Sequence, residues 1–562
     1  MQPALIALTV FSIVLFLITK PLGLWLTPLA KGRAPAVVEP ADRAVLHFLG
    51  LTNTPQTWAA YAASAVVFNM AGAVFLYLIL RFQGWLPFNP QGVDGMGALQ
   101  AFNVAVSFVT GTNWQSYSGE VSVSYFSQAV GLAVQNFCCS CTGTAVSFAL
   151  MRGFSRKLTD DLGNFWADVV RCALWVYLPL CVIYALFLVS QGVIQNWSDY
   201  AVIQTLAGGE QTIAMGPVAS QEAIKMIGTN GGGFFAVNSA HPFENPTQIT
   251  NFIASLAILA VPAGLTYTFG VMVRDTRQGW TIWAAMWLIF ALCTVAFAWF
   301  ELDTPQVLTD LGVPEGVMNP EGKEARFDIA ATALFSMATT AASCGAVNAM
   351  HDSFTALGGM FPLWLMQMDE VVFGGVGAGF YGMIVFAVVG VFAAGLMVGR
   401  TPEYIGKKIT PVQMKLAGVA MLTPPMIVLF GTAVTCVYPP ALESLTNPGA
   451  QGFSEILYAW SSAANNNGSA FAGLNADTDF FNAGLALAMW FGRFVCLISV
   501  TALAGSLARQ KMTAAGDGTL KTYGLLFTVF LSATVLVVGR SPTCRHWRSG
   551  PLRPIRARCF PK

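Results

Sequence analysis

The composition of this 562-residue chain excludes a soluble globular domain, because 55% of its residues are apolar and only 10% are charged. A formal net charge of +1 gives no sign of a nucleic-acid partner. The eleven cysteines lie mostly inside apolar segments, where they act as small hydrophobic residues, so we expect no disulfide framework.

Membrane-spanning helices are predicted along the whole chain. A helix needs about 20 mostly apolar residues to cross the hydrocarbon core. Ten segments meet this length, at roughly 3–22, 60–82, 124–151, 168–190, 249–273, 280–300, 346–399, 413–436, 478–506 and 520–539. No basic residue precedes the first segment and KPLG follows it, so we expect a retained span rather than a signal peptide. Glycines interrupt the segment 346–399, which we expect to cross only once.

The basic residues predict the orientation in the membrane, because short cytoplasmic loops are enriched in Lys and Arg. They follow the odd-numbered segments, at Lys20, Lys31, Arg33, Arg43, Arg152, Arg156, Lys157, Arg274, Arg277, Arg400, Lys407, Lys408, Arg509 and Lys511. The loops on the other side are neutral or acidic, with Glu301, Asp303, Asp310 and Glu315. We therefore expect the N-terminus outside.

Four polar stretches recur between an outward and an inward segment, each after a short segment of helical character. They are Thr112-Asn113-Trp114-Gln115-Ser116, Thr229-Asn230-Gly231-Gly232-Gly233, Ala342-Ser343-Cys344-Gly345-Ala346 and Asn465-Asn466-Asn467-Gly468-Ser469. Their fourth positions, Gln115, Gly232, Gly345 and Gly468, lie 117, 113 and 123 residues apart. This period predicts four copies of one unit, which consists of a helix, a short pore helix, a polar loop and a second helix.

Four such loops are expected to meet at one axis, because non-helical backbone at membrane depth must be buried in protein or face water. Glycine-rich loops in a ring can direct backbone carbonyls at a dehydrated cation, as potassium filters do. Asn, Thr and Ser side chains can hold such loops from behind. The alternative is ordinary polar re-entrant turns or asparagine-rich extracellular loops. The predicted filter residues are Thr112, Asn113, Gln115, Thr229, Asn230, Gly231, Gly232, Ser343, Cys344, Gly345, Asn465, Asn466, Asn467 and Gly468.

The predicted fold is an all-α integral membrane protein with about ten transmembrane helices and four helix–pore-loop–helix repeats around a pseudo-fourfold axis. We divide the chain into an extra N-terminal helix with its linker (1–55), repeat 1 (56–157), repeat 2 (158–277), repeat 3 with a broken inward helix (278–409), repeat 4 (410–511), a last helix (512–539) and a basic tail (540–562).

Several long motifs resemble one known family. They are NWQSYSGE (113–120), GPVASQEAIKMIGTNGGGFF (216–235), TTAASCGAV (339–347), HDSFTALGGM (351–360), GRTPEYIGKKI (399–409) and SSAANNNGSAFAGL (461–474). They resemble those of the potassium-translocating A subunit of the bacterial Kdp P-type ATPase, from the first span to about residue 538. The resemblance implies the fold of the superfamily of K⁺ transporters, in a multi-pass protein of the bacterial inner membrane.

The resemblance also implies a division of labour. K⁺, the transported ion, is expected to pass a filter in this chain and then to travel sideways through an intramembrane tunnel to an ATP-hydrolysing B subunit. A small C subunit and a very short F subunit are the other expected partners, together with membrane lipid. The alternative is a gradient-driven or channel-like K⁺ transporter of the same superfamily, regulated by a cytosolic nucleotide-binding protein.

The chain is not expected to be an enzyme on its own. It contains no G-x-x-x-x-G-K-[ST] phosphate loop and no D-K-T-G phosphorylation motif. The glycines of GGVGAGFYG (374–382) follow no strand, so they predict a helix break rather than a dinucleotide site. Cys138 and Cys141 lack a second pair or a nearby His, and the four histidines show no ligand spacing. A membrane-embedded enzyme would need clustered His, Asp or Glu inside the spans, which the sequence lacks.

One charge stands near the middle of a predicted span. Arg493 cannot easily reach the membrane surface from there, and an intramembrane charge is by default functional. We expect it below the filter, where it would repel K⁺ from a straight exit. The alternative is an ion pair with Glu370 or Asp369 that fixes helix packing. Gly374 and Gly375, at the predicted helix break, complete the expected gate or ion path.

Two further groups of charges lie outside this path. Glu222, Lys225, Glu324, Arg326 and Asp328 are expected around the outer vestibule, where such residues usually only solvate a surface. After Val538 the chain departs from the family and carries Arg540, Arg545, Arg548, Arg553, Arg556, Arg558 and Lys562 with no acidic residue. A frameshift or sequencing error is the preferred explanation, and a real basic tail is the alternative.

Overall fold

The computed structural model describes residues 1–562 except 303, 305, 315–317, 400, 514–519 and 540–562. The orientation charges Asp303, Glu315 and Arg400 and the basic tail therefore lie outside the described residues. Nearly all of the described regular structure is helical.

Within the described ranges, nine helical segments are long and apolar enough to cross a membrane. They are Gln2–Ala30, Trp58–Trp85, Ser127–Ser155, Phe165–Ser190, Gln248–Met272, Thr276–Glu301, Ala378–Val398, Pro411–Val437 and Asp479–Ala508. The predicted tenth span is shorter than expected, because its helix, Leu525–Val538, has 14 residues. The interrupted segment 346–399 contains one spanning helix, which begins at Ala378 after a short helix and a non-helical stretch.

The helices are numbered in chain order. They are α1 (Gln2–Ala30), α2 (Glu39–Phe48), α3 (Trp58–Phe82), α4 (Ala98–Thr110), α5 (Gly119–Ser122), α6 (Ala133–Ser155), α7 (Phe165–Cys172), α8 (Leu178–Ser190), α9 (Val218–Ile227), α10 (Gln248–Met272), α11 (Thr276–Glu301), α12 (Gln306–Asp310), α13 (Ile329–Ala341), α14 (Met360–Gln367), α15 (Ala378–Val398), α16 (Pro411–Val437), α17 (Pro439–Leu442), α18 (Gly449–Ala464), α19 (Asp479–Ala508) and α20 (Leu525–Val538). Wider helical turns, Ser127–Leu132 and Ala173–Tyr177, precede α6 and join α7 to α8.

The described residues also contain two small antiparallel hairpins and three short 3-10 helices, Gln83–Trp85, Asn238–Ala240 and His351–Ser353. Strands β1 (Ala201–Gln204) and β2 (Glu210–Ile213) pair with Ala201 opposite Ile213. Strands β3 (Glu403–Tyr404) and β4 (Lys407–Lys408) pair with Glu403 opposite Lys408.

The same unit occurs four times along the chain. A spanning helix leads to a short helix, the short helix ends in a polar loop, and a second spanning helix follows. The short helices are α4, α9, α13 and α18, with 13, 10, 13 and 16 residues. They are too short to cross a bilayer, and most of their residues are buried in the protein. Each is therefore a re-entrant pore helix.

A buried ion pair joins four helices at one end of the fold. Arg152 on α6 donates from Nη2 to Asp168 on α7 over 2.8 Å and from Nε to the carbonyl of Ala30, the last residue of α1, over 2.8 Å. The hydroxyl of Tyr61 on α3 donates to Asp168 over 2.9 Å. Buried charges of this kind need both a partner and hydrogen bonds. The cluster fixes the scaffold around the first two units.

Candidate functional site: a ring of four loops

All four pore helices end in the same backbone turn. A residue with left-handed backbone follows each helix, and the next residue donates its N–H to the carbonyl five positions earlier, which is a common helix-terminating arrangement. The left-handed residues are Gly111 (φ 79°), Thr229 (53°), Ser343 (53°) and Asn466 (62°). The hydrogen bonds run from Thr112 to Ser107 (2.9 Å), Asn230 to Lys225 (2.8 Å), Cys344 to Thr339 (3.0 Å) and Asn467 to Ser462 (2.8 Å).

This turn corrects the register of the sequence alignment in two of the loops. The residue that follows the hydrogen-bonded N–H is Asn113 in loop 1 (111–115), Gly231 in loop 2 (228–233), Gly345 in loop 3 (342–346) and Gly468 in loop 4 (465–469). The alignment by sequence had placed Gln115 and Gly232 opposite Gly345 and Gly468. That alignment is off by two residues in loop 1 and by one residue in loop 2, because the spacing of polar residues does not reveal where α4 and α9 end.

The four loops contact one another in a closed ring. A methyl group added at Gly345 would lie 2.7 Å from the carbonyl carbon of Gly468, and one added at Gly232 would lie 2.8 Å from Cβ of Asn113. A methyl group at Gly468 would overlap a backbone carbonyl oxygen of loop 1, and one at Gly231 would overlap the backbone nitrogen of Gly345. Only glycine permits this approach of backbone to backbone. The order around the ring is loop 1, loop 2, loop 3 and loop 4.

Side chains tie the loops to one another. Asn466 donates to the hydroxyl of Thr112 over 2.9 Å, which joins loop 4 to loop 1. The hydroxyl of Ser343 donates to the carbonyl of Asn466 over 2.9 Å, which joins loop 3 to loop 4. Gln115 binds both backbone groups of Gly233, accepting from its N–H at 3.0 Å and donating to its carbonyl at 3.1 Å, which joins loop 1 to loop 2. These bonds hold the ring closed.

Other predicted filter residues hold the loops to the surrounding helices. Asn230 donates to Sγ of Cys139 over 2.9 Å, and Asn113 donates to Oδ1 of Asn136 over 2.7 Å, both partners being on α6. Asn465 donates to the carbonyl of Ser461 over 2.9 Å. The Oδ1 atoms of Asn113 and Asn465 are buried without a hydrogen-bond partner. Free carboxamide oxygens of this kind suit a cation rather than an anion.

A series of uncharged side chains joined by hydrogen bonds supports loop 4. Burial lowers the pKa of His351 to about 3, so its imidazole is neutral at physiological pH. Its Nδ1 lies 2.8 Å from the hydroxyl of Tyr458, which lies 2.8 Å from the hydroxyl of Ser469. Ser469 in turn donates to the side chain of Asn467. Sequence reasoning assigned no role to His351, because its partners are distant in the chain.

A cavity lies directly against the helix-end turns of the ring. Its lining includes a residue from each loop and the non-helical stretch before α15, namely Thr110, Gly111, Cys139, Ser140, Gly228, Thr229, Asn230, Ser343, Gly375, Val376, Asn466 and Arg493. A second, larger cavity of about 60 Å³ lies between α15, α16 and α19, and its lining includes Asp369, Tyr381, Asn465, Asn466 and Arg493. Asn466 and Arg493 line both spaces.

Arg493 lies next to the ring, on the side of the pore-helix ends. A methyl group added at Gly143 of α6 would lie 3.1 Å from its Nη2 atom. The alternative prediction of an ion pair is wrong: among the ion pairs of the described residues, none joins Arg493 to Asp369 or Glu370. Both carboxylates belong to the non-helical stretch: Asp369 lines the larger cavity at another point of its wall, and Glu370 lies beside Ser343 and Asn467.

The broken helix of the third unit meets the ring directly. The N–H of Val376 donates to the hydroxyl of Thr229 over 2.8 Å, and a methyl group on Gly375 would lie 2.9 Å from Cβ of Ser343. Gly374 has φ 44° and packs against Gly379 with no room for a side chain. Glu370 is buried beside Ser343 and Asn467. This non-helical stretch, 368–377, thus packs directly against the loops.

Two charges that the sequence placed on an exposed vestibule surface are buried instead. Glu222 and Lys225 on α9 have side chains that are 3% and 0% exposed. A lysine in a short helix that is otherwise mostly apolar was the signal that could have predicted this burial.

The fold and the ring define a class of protein: a polytopic membrane protein in which four pore loops surround one axis and leave a cavity beneath them. The sequence matches the model of the family described as Potassium-transporting ATPase A subunit over residues 9–541, and the chain belongs to that family.

Known relatives cover almost the whole chain. The potassium-transporting ATPase potassium-binding subunit of Cronobacter sakazakii is 54% identical over 537 residues, which are 95% of this chain and 96% of the relative. The subunit of the same name from Ralstonia pickettii is 49% identical over 590 residues, which cover 99% of this chain and all of the relative. In both, the name is that of the ion-binding subunit of the complex.

A solved structure shows the same fold. The crystal structure of the potassium transporter TrkH from Vibrio parahaemolyticus superposes with a TM-score of 0.50 at 14% sequence identity, covering 88% of this chain and 95% of that chain. At this identity the likeness concerns the fold alone.

Proposed function

We propose that this chain binds K⁺ from outside the cell in the ring of four loops and passes it through the membrane domain to an ATP-hydrolysing partner subunit of a K⁺ uptake pump. The names of its relatives support K⁺ as the ion and a multi-subunit ATPase as the assembly. The chain itself carries neither a phosphate loop nor a D-K-T-G motif.

One observation supports the filter most directly, namely the closed ring in which glycines bring four backbones into contact. A cation that sheds its water must find replacement oxygens at fixed positions, and backbone carbonyls from four loops provide them. The unpartnered Oδ1 of Asn113 is a further oxygen available at this level. The selectivity filter is accordingly assigned to loops 1 to 4.

We infer that K⁺ leaves the ring sideways. The guanidinium of Arg493 lines both cavities, and its positive charge disfavours a cation beside it. The larger cavity, between α15, α16 and α19, differs from the first in that its lining includes an acidic side chain, Asp369, which can offset that charge on a sideways path. The stretch with Glu370, Gly374 and Gly375 packs against the loops, and we propose it as the gate.

The names of the relatives also support an assembly of several subunits. The proposed partners are the catalytic B subunit, a C subunit and a short F subunit, with lipid around the spanning helices. The proposed location is the bacterial inner membrane with the N-terminus outside, in agreement with the positive-inside pattern. The proposed units are repeat 1 (56–157), repeat 2 (158–277), repeat 3 (278–409) and repeat 4 (410–511).

The test is Gly232→Asp in the assembled complex. A side chain at this position meets Asn113 and Phe108, so it displaces loop 2 from loop 1 and adds a fixed carboxylate. We expect a weaker apparent K⁺ affinity by about tenfold or more and a smaller preference for K⁺ over Rb⁺. The measurement is cation-stimulated ATP hydrolysis over a range of K⁺ and Rb⁺ concentrations.

The matched control is Gly97→Asp. Gly97 precedes pore helix α4 as its N-cap, has open space around it and lies at a position where Asp is favoured. It should leave affinity and ion preference unchanged. An assembled Gly232→Asp variant with the same affinity and preference as the control would remove loop 2 from the ion site.

A further inference from the structure

A buried charge cluster lies behind loop 2, and we call Glu222, Lys225, Ser239 and Glu244 the Lys225 cluster. The ammonium of Lys225 donates to Glu222 over 2.8 Å, to Glu244 over 2.7 Å and to the hydroxyl of Ser239 over 2.9 Å. Ser239 also donates to the second carboxylate oxygen of Glu222 over 3.2 Å. The three N–H groups of the lysine are thus all used, and the charged side chains are 0 to 3% exposed.

The cluster borders the glycine segment of loop 2 at both ends. Before the glycines, the backbone carbonyl of Lys225 accepts the N–H of Asn230 over 2.8 Å, as in the turns of the other loops, and this bond does not involve the ammonium. After them, Glu244 accepts the N–H of Phe235 over 2.9 Å. The cluster also packs on the segment itself, since a methyl group on Gly233 would lie 2.8 Å from a carboxylate oxygen of Glu244.

A neighbour of the cluster reaches the ring. Asn238, which has left-handed backbone at φ 59°, donates from its side chain to the carbonyl of Gly231 over 2.9 Å. Its Oδ1 accepts the N–H of Ser239 over 3.2 Å. The position of a carbonyl in the ring therefore depends on the segment that the Lys225 ammonium holds in place.

Loop 2 is the loop that most needs this support. It contains three consecutive glycines, and glycine has the largest backbone freedom to lose on ordering. The pore helices α4 and α13 carry no charged residue, and the single charge of α18, Glu455, lies nine residues before its end at Ala464. Among the four pore helices, α9 is therefore the one that carries a lysine, and the acidic partners of this lysine lie behind its loop.

We propose that the Lys225 cluster positions loop 2 and thereby sets the discrimination between K⁺ and other monovalent cations. The proposal rests on the assignment of loop 2 to the filter. Lys225 and Glu244 are positioning residues, because they act through the backbone of loop 2 and not by touching the ion. Coordination by carbonyl dipoles depends on their number and spacing, so a loosened loop discriminates less between ions of different size.

The experiment compares Glu244→Gln, Lys225→Met and Ser239→Ala with a control in the assembled complex. Glu244→Gln keeps the shape of the side chain and one acceptor oxygen but removes the charge. Ser239→Ala removes only a hydroxyl, so it remains available as a test if the variants that remove a charge fail to assemble. The control is Glu301→Gln. Glu301 is equally buried, pairs with Lys323 over 2.7 Å and accepts the N–H of Thr355 over 2.7 Å, in a region without contact to loop 2.

The readout is the half-saturating concentration of K⁺ and of Rb⁺ for ATP hydrolysis, with assembly checked by size-exclusion chromatography. For Glu244→Gln and Lys225→Met we expect the K⁺ value to rise about tenfold and its ratio to the Rb⁺ value to approach one. Ser239→Ala should shift the K⁺ value and its ratio to the Rb⁺ value in the same direction by a smaller factor. Glu301→Gln should keep the wild-type ratio, whatever it does to the melting temperature.

Two results would overturn the proposal. Wild-type values in assembled Glu244→Gln and Lys225→Met, beside altered values in Gly232→Asp, would leave the filter in place and exclude the cluster. An equal change in Glu301→Gln would also exclude it, because general destabilisation would then explain the effect. Unchanged ion preference in Gly232→Asp as well would remove loop 2 from the filter itself and the basis of the proposal with it.

Discussion

Individual residues of the loops adopt a backbone that they rarely adopt elsewhere. Thr229, Ser343 and Asn466 have positive φ angles, which are uncommon for residues with a side chain and persist only when neighbours enforce them. Each is enforced by a bond to another element: Thr229 accepts from Val376, Ser343 donates to Asn466, and Asn466 donates to the carbonyl of Met489 over 2.9 Å. The strain thus stays in the ring only while the surrounding helices are in place.

Arg493 is the residue whose replacement should change transport without changing the fold. Arg493→Gln keeps a long polar side chain but removes the positive charge from the cavity under the ring. We expect altered uptake kinetics, with a changed maximal rate for K⁺ and normal assembly. The measurement is K⁺ uptake in cells that lack other K⁺ uptake systems. Arg509→Gln, near the exposed end of the same helix, is the control. Uptake equal to the wild type would exclude the role of Arg493 in the ion path.

Among the elements, a short hairpin holds the ends of two helices together. Lys407 on β4 is buried and donates to the carbonyls of Arg156 after α6 over 2.6 Å, Leu507 of α19 over 2.9 Å and Gln510 over 3.1 Å. The last carbonyls of a helix have no partner within the helix. The ammonium of Lys407 binds one such group, the carbonyl of Leu507, and two carbonyls just beyond the helix ends, so the hairpin fixes α6 and α19, which carry Gly143 and Arg493, relative to each other.

Lys407→Met should destabilise the protein without changing its ion preference. The substitution keeps the length of the side chain but removes the donor from partly buried carbonyls, which costs up to roughly 1–3 kcal/mol for each group left unsatisfied. A lower melting temperature in detergent is therefore expected, measured by thermal unfolding of the purified chain. Lys408→Met, on the exposed neighbouring residue, should melt like the wild type. Equal melting of both variants would show that the hairpin does not hold the helices.

At the scale of the whole molecule, the ring exists only when all four units are assembled. The bond between Asn466 and Thr112 joins residues 354 positions apart, and each loop contacts the loops before and after it in the ring. The relatives of this chain are named as the potassium-binding subunit of a potassium-transporting ATPase, so we expect ATP hydrolysis in another subunit.

The purified chain alone should hydrolyse no ATP. Phosphate release should remain at the background rate with or without K⁺, and should rise with K⁺ only when the catalytic subunit is added. A coupled assay on a preparation shown by mass spectrometry to lack other subunits checks this. Turnover in that preparation would contradict the assignment of this chain as the ion-binding subunit.

The sequence could predict much of the site because the signals for it are local. Polar and glycine residues after short apolar helices predicted all four loops, and the register of loops 3 and 4 was right, with Gly345 and Gly468 in equivalent places. Loops 1 and 2 were shifted, because the spacing of polar residues does not reveal where α4 and α9 end. The ion pair considered for Arg493 was wrong for a similar reason. Asp369 and Glu370 lie in a non-helical stretch, whose sequence has no regular period that predicts where their side chains point.

By itself, the sequence determined the spanning helices, the fourfold repetition and the loops. The length and apolar composition of a segment decide whether it leaves water for the membrane, and glycine acts through local backbone preferences. Only the tertiary structure decided which backbones meet, that Glu222 and Lys225 are buried beside Glu244, and that Arg493 borders two cavities. These features depend on contacts between residues far apart in the chain. Whether a charge is exposed to water or buried with a partner is set by those contacts and not by the residue type or its neighbours in sequence.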